Sequence, residues 1–368
     1  MEDYYYDRTA RAPKKRSVVM VVIDTIMLVV SLIAFAAICL TLVTSYYDPS
    51  THWIFPVLGL VSPATYLFTT LLMLYWVIRW RLIYACTLLL PLLVGAPNIS
   101  HYGKIETAKH YGAPPRRGTI RLISYNTHGM VDRDKNVTTD QIEEFIEEQN
   151  MDIVCLQEFD KNRFKGKDYS DFLKKYYRAV VSQQAIFSRY KILETSDELL
   201  RDDSDSGSGF WVDLLISSDT VRLYNLHLHS TAITLSDDDY LSNMEFISDS
   251  QSEDKLKGMI SRFRRSSIGR ATQADSIATS IAASPYPVIV CGDFNDTPNS
   301  YAFRKISNGL QDTFQEAGTG YTYTYRGFMN LLRIDYILVD DIFEVLSYQE
   351  VDSLTLSDHL PVITTIKL

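Results

Sequence analysis

The sequence predicts an α/β domain behind an apolar, helical N-terminal region, and three stretches carry that expectation. Residues 287–298 read PVIVCGDFNDTP. Val288, Ile289, Val290 and Cys291 form an apolar run suited to a strand buried on both faces, which Gly292 ends, leaving Asp293, Asn295 and Asp296 just beyond it. Residues 119–157 set a strand, a helix and a second strand in succession, with a polar group at the end of each strand. Residues 17–94 hold apolar runs long enough to place this part of the chain in a bilayer.

Composition bounds what the two parts do. The chain has 368 residues, 46% of them hydrophobic, enough for one large domain and a smaller unit. Residues 1–110 carry 9 Lys and Arg against 6 Asp and Glu, a balance of +3, whereas the remainder carries 27 against 39, a balance of −12. That acidic part lacks the broad basic footprint of a nucleic-acid binder, which disfavours long nucleic acid, and it suits a site that gathers divalent cations. Cys39, Cys86, Cys155 and Cys291 have no zinc-like spacing and make no disulfide framework.

In the N-terminal region, residues 17–43 form the first expected span, 27 residues long against the roughly 20 needed to cross the hydrocarbon core. Asp24 opposes this, but 16 Val, Leu, Ile and Phe outweigh it, and it is expected to pair with another helix or to sit near the Arg16 end. Residues 53–78 form the second run, with Tyr46, Tyr47 and Trp53 as interfacial aromatics. The third, residues 82–94, is short for a span. Arg11, Lys14, Lys15 and Arg16 place the N-terminus in the cytoplasm; of the two or three spans these runs can make, three put the large domain outside. Residues 1–97 are therefore expected to be a membrane anchor, 98–117 a linker rich in Gly and Pro, and 118–368 the large α/β domain.

In that domain the polar clusters recur at strand ends. Residues 119–125 lead to Asn126, Thr127 and His128. Thr138 and Thr139 cap a helix through Gln149 with Ile142, Phe145 and Ile146 inward, and residues 152–156 end in Gln157 and Glu158. Residues 185–189 and 210–216 read as strands. Residues 221–228 read VRLYNLHL, with His227 and His229 spaced for one face of the strand. Residues 230–268 are a polar stretch too long for an ordinary loop, hence a lid, a partner surface or disordered, and a helix follows over residues 269–283. Past Asp296, residues 300–306 suggest a short helix. Asp335, inside the strand of residues 333–339, needs a partner if buried. Asp358 and His359 stand before the last strand, 362–366, and a carboxylate behind a histidine sets its tautomer and stabilises its protonated form. Carboxylates and amides without cysteine select Mg²⁺, with Mn²⁺ as the alternative, over zinc.

GDFN, RIDY and SDHLP, in this order over residues 118–368, resemble the endonuclease/exonuclease/phosphatase superfamily, and the apolar N-terminal segments resemble a membrane-anchored bacterial subgroup of it. The resemblance implies a four-layer α/β sandwich of two mixed β-sheets flanked by helices, with the site at one edge. It also implies roles. Glu158 with Asn126 would hold Mg²⁺, with Asp358 as a further metal or orienting carboxylate. Asp293 would orient or deprotonate the attacking water and Asn295 would position it, while His227 and His359, the latter backed by Asp335, would bind the phosphoryl oxygens. The expected function is a membrane-anchored phosphohydrolase of an inner membrane, cleaving a phosphodiester or phosphomonoester such as a phospholipid headgroup. A metal-dependent nuclease and a catalytically silent scaffold are the alternatives. The segment SDSGSGFWVD lacks the Asn or Tyr often found there in relatives, and residues 231–268 have no counterpart in the small nucleases.

Overall fold

The structure, a computed structural model, describes residues 17–104, 118–164, 168–197, 199–200, 207–231 and 252–368, with Asp237, Tyr240 and Asn243. Its strands are β1 (Gly103–Lys104), β2 (Thr119–Asn126), β3 (Ile153–Gln157), β4 (Tyr177–Val181), β5 (Gln184–Ser188), β6 (Lys191–Thr195), β7 (Ser208–Ile216), β8 (Asp219–His227), β9 (Val288–Asp293), β10 (Gln311–Asp312), β11 (Gly320–Tyr321), β12 (Asp335–Val339), β13 (Glu344–Glu350) and β14 (Val362–Lys367). Twelve of them form two six-stranded sheets, ordered β10-β12-β9-β8-β7-β6 and β13-β14-β2-β3-β5-β4. Both are mixed. The β2/β3 and β8/β9 pairs are parallel, and antiparallel partners surround them.

Alternation along the strands builds the layers. Leu122, Cys155, Val212, Leu223, Cys291 and Ile337 meet between the sheets. The opposite faces of the same strands hold Ile123 and Val154 against Ile142, Phe145 and Ile146 of the helix Thr139–Glu148. On the far side, Tyr224, Val290 and Leu338 pack against Ala274 and Ile277 of the helix Ser252–Ala282 and against Phe303 of the helix Tyr301–Ile306. The result is the four-layer α/β sandwich.

Two sequence expectations change here. The stretch 230–268 is not all loop, because the helix begins at Ser252 rather than near Gly269 and runs 31 residues. Its polar first half is one-sided, with Met259 and Phe263 buried, and Gly269 continues the helix where the His229 ring leaves no room for a Cβ, the nearest ring atom lying 2.7 Å away. Most of the remainder, like the acidic run 201–206, lies outside the described residues. The expected linker 98–117 is in part a docking segment. Residues Ala96–Ser100 are helical, β1 pairs with β11, and Ser100 exchanges hydrogen bonds with Gln315. Residues 105–117 lie outside the described residues.

The N-terminal helices are α1 (Val18–Thr41), α2 (Ile54–Leu60), α3 (Ser62–Ile78) and α4 (Leu82–Val94). One helix, Val18–Tyr46, is long and apolar enough to cross a membrane; α2 and α3 qualify together but bend by 65° at their junction, and α4 is only 13 residues long. Ala34, Leu72, Trp76, Ala85 and Leu88 pack α1, α3 and α4 together. Asp24 does find a partner on another helix: the Arg79 Nε and Nη2 donate to its carboxylate at 3.0 and 2.9 Å, and the Tyr75 hydroxyl at 2.8 Å.

Candidate active site

Strand direction explains why distant residues converge. Asn126, His227 and Asp293 end β2, β8 and β9, and Glu158 follows β3, so two parallel strand pairs, one from each sheet, deliver them to one edge. Strands β12 and β14 run antiparallel to β9 and β2, so their beginnings reach that same edge. Asp335 stands opposite Asp293 in register, and Asp358 and His359 lie just before β14. Gly292 is required where β9 meets β8. Its φ is 152°, and a Cβ there would lie 2.0 Å from the Leu226 carbonyl oxygen.

Asp293 is the hub. Its Oδ1 accepts from the Asn295 backbone N–H at 2.7 Å, and its Oδ2 accepts from the Asn295 and Asn126 side-chain amides at 3.2 and 3.0 Å. The same Oδ2 faces His227 Nε2 at 3.7 Å and His359 Nε2 at 3.8 Å. Asn295 and Glu158 both hold left-handed backbone, φ 51° and 53°, a conformation that persists only where surrounding contacts impose it. For Asn295 those contacts are its two bonds to Asp293 and a third, from its amide to the Leu228 carbonyl.

Behind His359, Nδ1 pairs with Asp335 Oδ2 at 2.9 Å, both side chains being almost fully buried. Burial pushes the Asp335 carboxyl up to about 6, with His359 working against that rise. Burial alone would lower the His359 pKa, but the Asp335 and Asp293 carboxylates more than offset it and hold the ring well above its ordinary value. With Nδ1 bonded to Asp335, Nε2 is left to face the cavity and Asp293. Asp293, Asp335 and His359 bring ligand-type atoms within 4.8 Å of one another, yet His359 Nδ1 and Asp335 Oδ2 are consumed by their mutual bond.

The remaining expected ligands stand nearby. Glu158 Oε1 accepts from Asn126 Nδ2 at 3.0 Å and faces His227 Nε2 at 3.7 Å. Asn126 turns its Nδ2 toward both carboxylates and its Oδ1 toward the His128 backbone N–H, so a ligand role for that oxygen requires the amide to rotate. Asp358 Oδ1 meets His128 Nδ1 at 3.2 Å. His229, expected on the same strand face as His227, departs from it. Strand β8 stops at His227, and the His229 ring turns to the Ser230 carbonyl and Gly269.

Sequence reasoning missed the supports. The Thr324 hydroxyl accepts from the Ile334 and Asp335 backbone N–H groups, and Ser357 donates to the Asn126 carbonyl. Beneath the site, Gln157 donates to Asn225 Oδ1 at 2.7 Å and Asn225 donates to the Leu156 and Ala185 carbonyls, a buried polar link between the sheets. Arg270, fully buried, bonds Asp296 and the His229 carbonyl, tying the loop after β9 to the long helix. Gln157 and Asn225, polar residues inside otherwise apolar runs, were the available signal.

These residues line a cavity of about 210 Å³ that holds Glu158, His227, Asp293, Asn295, Asp358 and His359. Its walls carry the carboxylates of Glu158, Asp293, Asp296 and Asp358 and, among the described residues, no Lys or Arg. Arg270 answers Asp296 from behind. The hydrogen-bond and ion-pair partners of the other three acids are, among the described residues, imidazoles, amides and the Ser357 hydroxyl. Hard oxygens in excess of nearby cations fit a divalent metal.

The profile of the Endonuclease/Exonuclease/phosphatase family matches residues 123–359, and that of a domain of unknown function, DUF8431, matches residues 24–102. No curated protein matches the chain. Among solved structures, a humanized D. rerio TDP2 is 17% identical and covers 68% of this chain and 100% of its own, with a TM-score of 0.51. The D. rerio TDP2 complexed with single-strand DNA product is 15% identical, with coverages of 68% and 99% and the same score of 0.51. An endonuclease/exonuclease/phosphatase family protein from Bacteroides thetaiotaomicron is 18% identical, covering 69% and 98%, at 0.50. At these identities the likeness concerns the fold, whereas the profile spans more than half of the chain. With its two mixed sheets and the polar residues gathered at their common edge, this chain belongs to the endonuclease/exonuclease/phosphatase family.

Proposed function

We propose that the protein is a membrane-anchored, Mg²⁺-dependent phosphoric ester hydrolase that cleaves a phosphodiester or phosphomonoester, with a lipid headgroup as the favoured substrate. The observation that carries the reading is Asp293, a buried carboxylate held by three N–H bonds and facing two imidazoles across one cavity. Asp293 orients a water and takes its proton as the water oxygen bonds to phosphorus and the ester P–O bond breaks. Asn295 keeps that carboxylate in place and positions the water. His359, protonated and braced by Asp335, and His227 donate to the phosphoryl oxygens, whose negative charge grows as the reaction proceeds. Glu158, with Asp358 and Asn126, would hold the metal, which supplies Lewis-acid polarisation of the phosphoryl group and neutralises its charge. Preformed geometry of this kind acts by positioning and electrostatics.

The membrane placement rests on α1, on the bent α2–α3 pair and on α4 returning the chain to the side opposite Asp24 and Arg79. With the basic residues before α1 in the cytoplasm, the catalytic domain is extracytoplasmic. An active alkaline phosphatase fused after Leu368 is the expected result, and an inactive fusion in an expressed protein would reverse the topology.

The decisive assay incubates the purified full chain with Mg²⁺ and, in parallel, phospholipid vesicles, plasmid DNA and a generic soluble aryl phosphodiester. Release of phosphate or headgroup, abolished by EDTA and lowered about a thousandfold in Asp293→Asn, is expected. DNA nicking lost in Glu158→Ala, with no lipid turnover, would make it a nuclease. No turnover of any ester by folded protein with any divalent metal would make it a scaffold.

A further inference from the structure

The turn between Gly327 and Leu332 stands at the rim of the cavity and has an unusual backbone. Phe328, Met329 and Asn330 are successive left-handed residues, φ 49°, 56° and 58°, none of them glycine. The consequence is outward display of apolar side chains: Met329 is 69% and Leu331 39% exposed, while Phe328 and Leu332 line the cavity. Strained backbone that presents apolar groups at the mouth of a site calls for something to cover them.

The same cavity has a wall from the membrane bundle. Leu60, the last residue of α2, lines it together with Phe263, Phe328, Leu332 and Ile334. No spacer separates bundle and site. The Thr44 hydroxyl donates to the Asn299 carbonyl at 2.9 Å, and the Asn299 amide donates to Ser62 Oγ at 2.8 Å, at the very start of α3. A Cβ on Gly59 would lie 3.2 Å from that carbonyl oxygen. Asn299 is six residues beyond Asp293, so the loop that carries the site rests directly on the outer end of the bundle. Helix α1 has 24 residues, or about 36 Å at 1.5 Å per residue, against a hydrocarbon core of about 30 Å. Thr44, just past its end, therefore lies in the interfacial layer, and so does the cavity that Leu60 shares with the turn.

We propose that the turn Phe328–Leu331 is a bilayer-contact element that seats Met329 and Leu331 in the lipid interface, so that the cavity takes its phosphate ester from a lipid of the same membrane, the lipid's apolar part lying along Leu60, Phe328 and Leu332. This rests on the hydrolase reading for the substrate, but not for the contact itself. Two readouts keep them apart.

In the full chain with Cys39→Ser and Cys86→Ser, reconstituted in phosphatidylcholine vesicles, a polarity-sensitive fluorophore on Met329→Cys is compared with one on Tyr177→Cys, an exposed position on β4. The Met329 probe is expected to shift to the blue and to be quenched by lipids spin-labelled high on the acyl chain, while the Tyr177 probe keeps water-like emission. Water-like, unquenched emission at both positions would overturn the proposal, including the case in which a partner protein rather than lipid covers the turn. Independently, Met329→Asp with Leu331→Asp is expected to lower turnover of vesicle-borne phospholipid by about tenfold or more while leaving the soluble aryl ester unaffected. Equal loss on both substrates, or no loss on either, would also overturn it. Should the unaltered chain hydrolyse neither substrate, the hydrolase reading falls and the fluorescence alone decides the turn.

Discussion

Arg333 and Asp335 are two residues apart in the chain, both fully buried, and both belong to ion pairs, yet the pairs differ in kind. Arg333 sends its two terminal nitrogens to Asp312 at 2.7 and 2.5 Å, lies within 5 Å of the Phe314 and Tyr336 ring centres, and reaches the His101 carbonyl. Both partners are buried, and the pair knits the segment before β12 to β10 and to the docking segment that follows the N-terminal helices. Asp335 spends one oxygen on His359, and its Oδ1 has no hydrogen-bond partner among the described residues. Its partner opens onto the cavity. Burial of charge alone thus does not mark a catalytic group. The useful distinction is whether the pair closes on itself or leaves a donor aimed at a space where a substrate fits.

The largest expected effect tests the enclosed pair. Arg333→Met strands the Asp312 carboxylate without its partner and should cost about 3–5 kcal/mol of stability, read as a lowered midpoint in thermal unfolding, while Arg333→Met with Asp312→Leu should recover most of it. The turnover of the surviving folded fraction should hardly change, and a specific loss of turnover without loss of stability would erase the distinction drawn above.

The converse change is Asp335→Asn. With the carboxylate gone, His359 loses the group that keeps it protonated and oriented, so kcat should fall by about a hundredfold while KM and the unfolding midpoint move little. A drop in stability comparable to that of Arg333→Met would show that both pairs are structural.

The smallest effect sharpens the comparison through pH. Burial alone would push the Asp312 carboxyl up, but Arg333, with His101 beside it, holds it well below the usual carboxylate range. A carboxyl depressed in the fold binds its proton more readily in the unfolded chain. Its contribution is therefore complete above about pH 4 and declines as pH falls further. Unfolding midpoints followed from neutral pH to pH 3, roughly one unit below the ordinary carboxyl value, should drop more steeply in the native chain than in the Arg333→Met, Asp312→Leu double variant. Parallel slopes would remove Asp312 from the acid response.

Much of the site was legible because its chemistry is local to strand ends. PVIVCGD announced a buried strand with an acid at its tip, and the same pattern at Asn126, Glu158 and His227 pointed to one edge. What failed was of a different nature. The polar first half of the helix Ser252–Ala282 hid its Met259 and Phe263 face among charges, and β4, β6 and β13 are weakly apolar strands at or near sheet edges that owe their form to a neighbour. Gln157, Asn225 and Thr324 carry no motif, and their importance is set by what lies across the sheet.

By itself, then, the sequence determined the α/β class, the apolar N-terminal helices and the inventory of acids, amides and imidazoles, because hydrophobic periodicity and turn residues act over a few neighbouring positions. Only the tertiary structure decided that Asp293 is the centre of that inventory, that the His229 ring turns away from it, and that the N-terminal helices lend Leu60 to the cavity wall. Such facts depend on distances between residues far apart in the chain, and those distances exist only after strands, helices and bundle have packed.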